Sequence, residues 1–400
     1  MKIFEVVDKK TRKEFLKVAP LIYKNDPNWV QPLDVQIEEI FDPKTNVFFQ
    51  NGEATRFILK DDDGKLIGRI AAFINRDKAF GFEQPTGGCG FFECINDKNA
   101  AFLLFDTAKE WLEKREMKAM DGPINFGEND NFWGLLVDGF TEPTIGMQYN
   151  PPYYKELFES YGFKFYFEQV SNNLDLTKKF PERFWKIAGW VSKKPEYSFE
   201  HLNFNNIEKF INDFLEIYKD AWEFHENFKP INIDDVKVRL LDAKSFIKEE
   251  FIWYAYHKGE PIAFLVMYPD VNQIIKHLHG KLNLYSKIKF VWLKKRKTMT
   301  RARIVIMGVK PKYQRSGIES AIFWHLDKVM KKNPEYTDVE LSWVGDFNPK
   351  MRALHESVGG VFAKRHITYR CLFNENQEYH RSTIIPVDTK EKAVKKDKNK

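Results

Sequence analysis

The order of elements along this chain predicts two copies of one α/β unit laid end to end, each a mixed, mostly antiparallel twisted sheet flanked by helices. Three observations carry that expectation. A strand–turn–strand pattern occurs twice, as residues 54–59 and 66–74 around Asp61-Asp62-Asp63-Gly64, and as residues 251–256 and 262–268 around His257-Lys258-Gly259-Glu260. Each hairpin is followed by a further strand and a helix. Each half then closes with an Asn, a short helix, a Gly and a last strand: Asn150 to Gly162 before 164–170, and Asn348 to Gly359-Gly360 before 367–373. The repeat lies in order, not identity. Its boundary falls near Ser171-Asn172-Asn173, giving units 1–172 and 173–385 and a basic, disordered tail 386–400.

In the first unit, residues 3–7 read as a strand, and Phe15, Val18, Leu21 and Ile22 as one face of a helix. Asn28-Trp29-Val30-Gln31-Pro32 is a loop that buries an aromatic. After the hairpin, Gly87-Gly88-Cys89-Gly90 leads into a strand at 91–95. Asn96-Asp97 can cap a helix with apolar positions Ala101, Leu104, Phe105, Ala108, Trp111 and Leu112. Residues 123–146 are rich in Gly, Asn and Pro and suit a pocket wall. In the second unit, Phe210, Phe214, Ile217, Tyr218, Ala221 and Trp222 mark a helix, and Val339, Leu341 and Trp343 a strand.

The most informative stretch is residues 301–329. Residues 304–309 are a buried strand, and Pro311, which cannot donate to a ladder, ends it. A basic turn holding Gln314, Arg315, Ser316 and Gly317 follows. Then Ile318, Ala321, Ile322, His325, Leu326 and Val329 recur at helical spacing. The first amides of that helix have no internal partner and suit a phosphate or diphosphate. A plain strand-to-helix turn with Glu319 in the first helical turn is the other reading.

Gln314 and Gly317 match the first two marked places of motif A of the GNAT acetyltransferases, and the turn resembles that motif. Glu319 occupies the third place, where the family has a small residue. A carboxylate ~4 Å from a diphosphate costs several kcal/mol at an effective dielectric near ~20, unless it points away or Lys310, Lys312 and Arg315 offset it. Residues 341–360 resemble the family's motif B: strand, Asn348, helix, Gly. The first unit matches motif B through Asn150, Phe158, Gly162 and Phe163 but has no Gly turn. The tandem plan, with one degenerate half, is similar to that of the N-myristoyltransferases and the Fem-type transferases.

The resemblance implies transfer of an acetyl or longer acyl group from acyl-CoA to the amine of a small molecule or peptide, with the chemistry in the second unit. It implies a cofactor site of Met307, Gly308, Val309, Gln314, Arg315, Ser316, Gly317, Ile318, Glu319 and Asn348. It places the thioester opening between 262–268 and 304–309, where Gly308 permits a bulge. Gly308 can equally end a strand, and Asn348 can equally be an N-cap. His355 stands where the family has a proton-donating Tyr; Asp270 can bind or deprotonate an amine. A structural His and a turn acid are the competing readings. Phe158, the counterpart in the first unit, supports no chemistry. Glu223, His225 and Glu226 can line an acceptor pocket or be solvated charges. A Fem-like transferase using aminoacyl-tRNA, and a non-catalytic binding protein in which Glu319 abolishes CoA binding, are the alternatives.

Composition bounds these readings. The 400 residues hold 43% hydrophobic and 16% aromatic side chains, which weakly favours a long acyl chain. A net charge of +6 agrees with an anionic ligand without calling for nucleic acid. Cys89, Cys94 and Cys371 form neither a disulfide framework nor a zinc site, and His277-Leu278-His279 lacks a third ligand, so no metal is expected. With no signal peptide and no span of ~18 apolar residues, a cytoplasmic protein is expected. Residues 287–303 interleave Lys and Arg with Ile288, Phe290, Val291, Trp292 and Leu293. That pattern fits peripheral contact with an anionic lipid surface, a nucleic-acid patch or, most simply, a surface helix over the core.

Overall fold

The computed structural model describes residues 1–223, 233–374 and 376–382. His225, Glu226 and the tail 386–400 lie outside them. The first half runs β1 (Lys2–Glu5), α1 (Lys9–Ile22), α2 (Asp34–Ile40), β2 (Gly52–Lys60), β3 (Leu66–Asn75), α3 (Arg76–Ala79), β4 (Thr86–Cys94), α4 (Lys98–Glu113), β5 (Ala119–Gly122), β6 (Leu135–Asp138), α5 (Tyr154–Tyr161) and β7 (Lys164–Asp175). The second runs α6 (Glu182–Val191), β8 (Tyr197–His201), α7 (Ile207–Trp222), α8 (Ile233–Ala243), β9 (Ile252–His257), β10 (Glu260–Pro269), α9 (Asn272–Ile275), α10 (Leu284–Lys295), β11 (Arg301–Val309), α11 (Ile318–Lys332), β12 (Asp338–Gly345), α12 (Pro349–Ser357) and β13 (Val361–Leu372).

All strands of the described residues join one 13-stranded sheet, in the order β1-β2-β3-β4-β5-β13-β7-β12-β11-β10-β9-β8, with β6 pairing β13. Read from its two ends, the sheet repeats one plan. Each half's fifth strand is flanked by the other half's last strand: β13 pairs β5, and β7 pairs β12. The sequence boundary at 172/173 therefore falls inside β7, which pairs with β12 at Leu174, Asn173 and Asn172. Only β4–β5 and β11–β12 are parallel among the described pairs.

Period-two alternation sorts side chains to the two faces. In β9 and β10, Trp253, Ala255, Ala263 and Leu265 pack with Ile318, Ala321 and Ile322 of α11. Tyr254, Tyr256, Phe264 and Val266 face α7 through Phe210 and Ile217. In the first half, Leu104, Phe105 and Ala108 of α4 and Leu157 and Phe158 of α5 cover one face. The Gly87–Gly90 run is part of β4 rather than its lead-in. A Cβ at Gly90 would sit 1.8 Å from the Ile124 carbonyl oxygen, and one at Gly88 2.3 Å from the Phe73 ring, so close packing demands glycine there.

Candidate functional site

In the second half the turn after β11 has the expected form. Gln314 is extended, Arg315 has φ 64° and Gly317 has φ 83°, serving as N-cap of α11 without any side-chain cap. The left-handed Gly317 sits tight against α6, where a Cβ would meet Ile187 Cγ2 at 2.9 Å and Val191 Cγ2 at 3.1 Å. Gln314 Nε2 donates to the Val309 carbonyl at 3.4 Å. Among the described residues the amides of Ile318 and Ser320 have no hydrogen-bond partner, and that of Glu319 meets only its own carboxylate. Burial pushes the Glu319 carboxyl up, and its own amide acts against that. In the first half the equivalent helix is closed: Asp97 accepts from Ala100 N at 2.8 Å. Open first-turn amides thus distinguish α11 from α4.

Beside the turn the sheet opens. β11 pairs β12 from Arg301↔Asp338 to Ile304↔Leu341, after which the two strands part. β12 continues beside β7 through Val344 and Gly345. The opening therefore lies between β11 and β12. It does not lie between β10 and β11, which stay paired from Ala263↔Val309 to Pro269↔Ala302. A register shift opposite Val266/Met267 leaves Val305 as the extra residue of β11, so the bulge precedes Gly308. Gly308 instead leaves room for aromatics, since a Cβ there would meet Trp222 at 2.7 Å and Phe264 at 2.8 Å. Met307, Gly308 and Val309 lie on the part of β11 past the split, with one backbone edge unpaired by β12.

Of the two residues put forward for proton transfer, Asp270 is engaged within the protein and His355 is buried. Asp270 is fully buried and held by Arg301, whose Nε and Nη2 donate at 2.9 and 2.7 Å. It also accepts from Ile145 N and Asn272 N. A carboxylate so engaged has no face left for a substrate amine; it ties β10 to residues 143–145. His355 is buried on α12, and burial pushes it down to about 4, which favours the neutral ring near pH 7 over the protonated form a leaving thiolate needs. Asn348 caps α12, accepting from Met351 N at 3.3 Å. Glu223 is exposed at the end of α7. Phe158 is locked among Phe92, Phe105 and Phe163.

A cavity of about 640 Å³ lies away from the turn, and none of residues 307–319 lines it. Its wall includes 125–128, 130–132, Pro143 and 145–149, mostly in the loop expected to form one, with Trp29 and Phe91. Val238 and Asn272 bring the second half to it. Its carboxylates are Glu39, Glu93, Glu128 and Asp130, against one guanidinium, Arg69. Glu93 is buried, accepts from Tyr154 Oη at 2.8 Å and faces Arg69 Nη2 at 3.4 Å. Burial pushes its carboxyl up while Arg69 works against the rise.

Beneath the same loop runs a buried polar strip. Lys364 Nζ and Thr144 Oγ1 donate to Glu340 at 2.6 and 2.8 Å. Arg303 donates to Ser342 Oγ and to the Ile145 carbonyl, and His366 Nε2 to the Gln148 carbonyl at 2.8 Å. This strip and Glu93 are not among the residues expected from the sequence. Its signal was the alternation Lys364, His366, Thr368, Arg370 against Ile367, Tyr369, Cys371 in one strand.

Comparison with known proteins bears on the family and the fold. Residues 211–360 match the model of the acetyltransferase (GNAT) family. The chain is 31% identical over 369 residues to the bacterial ceramide synthase of Caulobacter vibrioides, covering 89% of this chain and 94% of that protein. It is 26% identical over 374 residues to protein YghO of Escherichia coli, covering 91% and 93%. Its fold is similar to a tandem GNAT protein from the clavulanic acid biosynthesis pathway, with a TM-score of 0.55 and 11% identity over 94% of this chain and 99% of the other.

Proposed function

This chain belongs to the GNAT acetyltransferase family, and from that premise we propose that it joins a long acyl group, carried on CoA, to the amine of a long-chain amino alcohol, the reaction that makes a ceramide. The observation that carries the reading is the asymmetry between the halves. Of the two equivalent helices, α4 is capped by Asp97 whereas α11 begins with uncapped amides, beside the opening between β11 and β12. The diphosphate of acyl-CoA would lie at the N-terminus of α11, where the dipole and the unpartnered amides of Ile318 and Ser320 favour negative charge. The pantetheine arm would enter the split, against the unpaired edge of Met307, Gly308 and Val309. Ile318 fixes the helix start by its burial, and Arg315 and Ser316 shape the turn.

The acceptor nitrogen, neutral at the moment of attack, adds to the thioester carbonyl carbon. The tetrahedral intermediate expels the CoA thiolate, the C–S bond breaks, an amide C–N bond forms, and the amine proton leaves to solvent. Likeness to a ceramide synthase favours a lipid acceptor, and the cavity agrees. Its aromatic lining suits an alkyl chain, and its excess of carboxylates suits an ammonium head.

The test is a coupled assay with palmitoyl-CoA and a long-chain 2-amino alcohol. Thiol release should match amide formation one to one and require both substrates. Thiol release that ignores the amine, or none with any acyl-CoA, would contradict the reading.

A further inference from the structure

Helix α10 is built the wrong way round for an ordinary surface helix. Ser286, Phe290 and Leu293 turn inward, with Ser286 and Leu293 buried. The opposite face should then be polar. Instead Leu284, Tyr285, Ile288, Val291 and Trp292 are 75%, 71%, 61%, 51% and 51% exposed. At ~100° per residue these five side chains share one arc of about 120°, centred away from the core. Basic residues border and interrupt it: Lys287, Lys294, Lys295 and Arg296. From Lys281 to Arg303 the chain has no Asp or Glu. Lys287 and Lys295 make no ion pair among the described residues, so their charge is not spent within the protein.

We propose that α10 is a membrane-docking helix that seats its apolar face at the surface of an anionic bilayer. An exposed apolar stripe of this extent calls for a partner. Its basic border selects a negatively charged one, and the amphipathic form suits the headgroup–acyl boundary. A second copy of the chain is disfavoured, because pairing two such faces would bring lysines onto lysines. No described helix is long and apolar enough to cross a membrane, so α10 would lie along the surface. The placement also serves a lipid-handling site, since α10 packs on α9 and Asn272 of α9 lines the cavity.

Vesicle flotation of the full chain tests this independently of any catalytic role. The probes are phosphatidylcholine vesicles and phosphatidylcholine–phosphatidylglycerol vesicles. The wild type should float with the anionic vesicles at least about tenfold more strongly than with the neutral ones, less so at high salt. I288E/W292E should bind about a hundredfold more weakly, and K287Q/K295Q about tenfold more weakly, both with unchanged melting temperatures because the altered side chains are exposed. The proposal is overturned if the wild type floats with neither vesicle, if both variants bind like the wild type, or if the wild type is a dimer that I288E/W292E dissociates.

Discussion

Gly317 combines a left-handed backbone, φ 83°, with a Cβ position that α6 already fills, so no other residue fits without strain. Gly317→Val should lower stability by about 1–2 kcal/mol in urea titrations and remove most acyl-CoA binding. Glu319 is the departure from the family pattern, and its effect depends on its charge. Burial raises its pKa, and a bound diphosphate would raise it further, so acyl-CoA should bind more tightly as pH falls through that range. Glu319→Gln should bind as well as the protonated wild type and lose that pH dependence in calorimetry; equal pH dependence in both proteins would refute the placement. His355 and His366 are both held near 4 by burial, against an ordinary ~6.5. The unfolded chain therefore takes up more protons between those limits. Stability is full above ~6.5 and falls as pH drops toward ~4, by up to about 3 kcal/mol for each ring. His355→Leu should flatten part of that acid limb and leave acyl transfer within about threefold, a result incompatible with a proton donor at that position.

Among the elements, the ends of β10 and β11 are joined to the loop over the cavity through the buried Asp270–Arg301 pair. Asp270→Ala would leave the Arg301 guanidinium without the carboxylate oxygen that accepts two of its N–H groups, and chemical denaturation should show a loss of roughly 3–5 kcal/mol. A catalytic Asp270 would instead show a large fall in kcat with little loss of stability. The two hairpins and helices such as α4 and α7 were legible because each has one apolar face, Phe210, Phe214 and Ile217 in α7 and Ala101, Leu104 and Phe105 in α4, whereas α2, α6, α8 and α9 were not expected. The turn at Gln314–Gly317 was legible because Pro and Gly punctuate it on both sides. The role of Gly308 was not, because the reason for it is the distant Trp222 ring. Asp270 misled for a similar cause: Arg301 is 31 residues away in sequence, and nothing local announces the pair.

For the whole molecule, the exchange of β7 and β13 was beyond any local signal, since both strands carry the pattern of a central strand whichever half they join. Its consequence is mechanical. A chain cut at the 172/173 boundary would break β7, and neither piece would hold the last strand its sheet uses. We expect a single unfolding transition in calorimetry, with pieces 1–172 and 173–400 unfolded alone and structured when mixed; two separate transitions would show independent halves. Val238 and Asn272 of the second half also reach a cavity built mainly by the first half, so a lipid acceptor in that cavity would be shared between a half without a diphosphate cradle and a half with one. The account rests on that cradle. Titrating palmitoyl-CoA into the wild type and Gly317→Val by calorimetry tests it most directly. One site per chain, lost in the variant while its circular dichroism is retained, is the predicted result; no binding by the wild type, or equal binding by both, would contradict it.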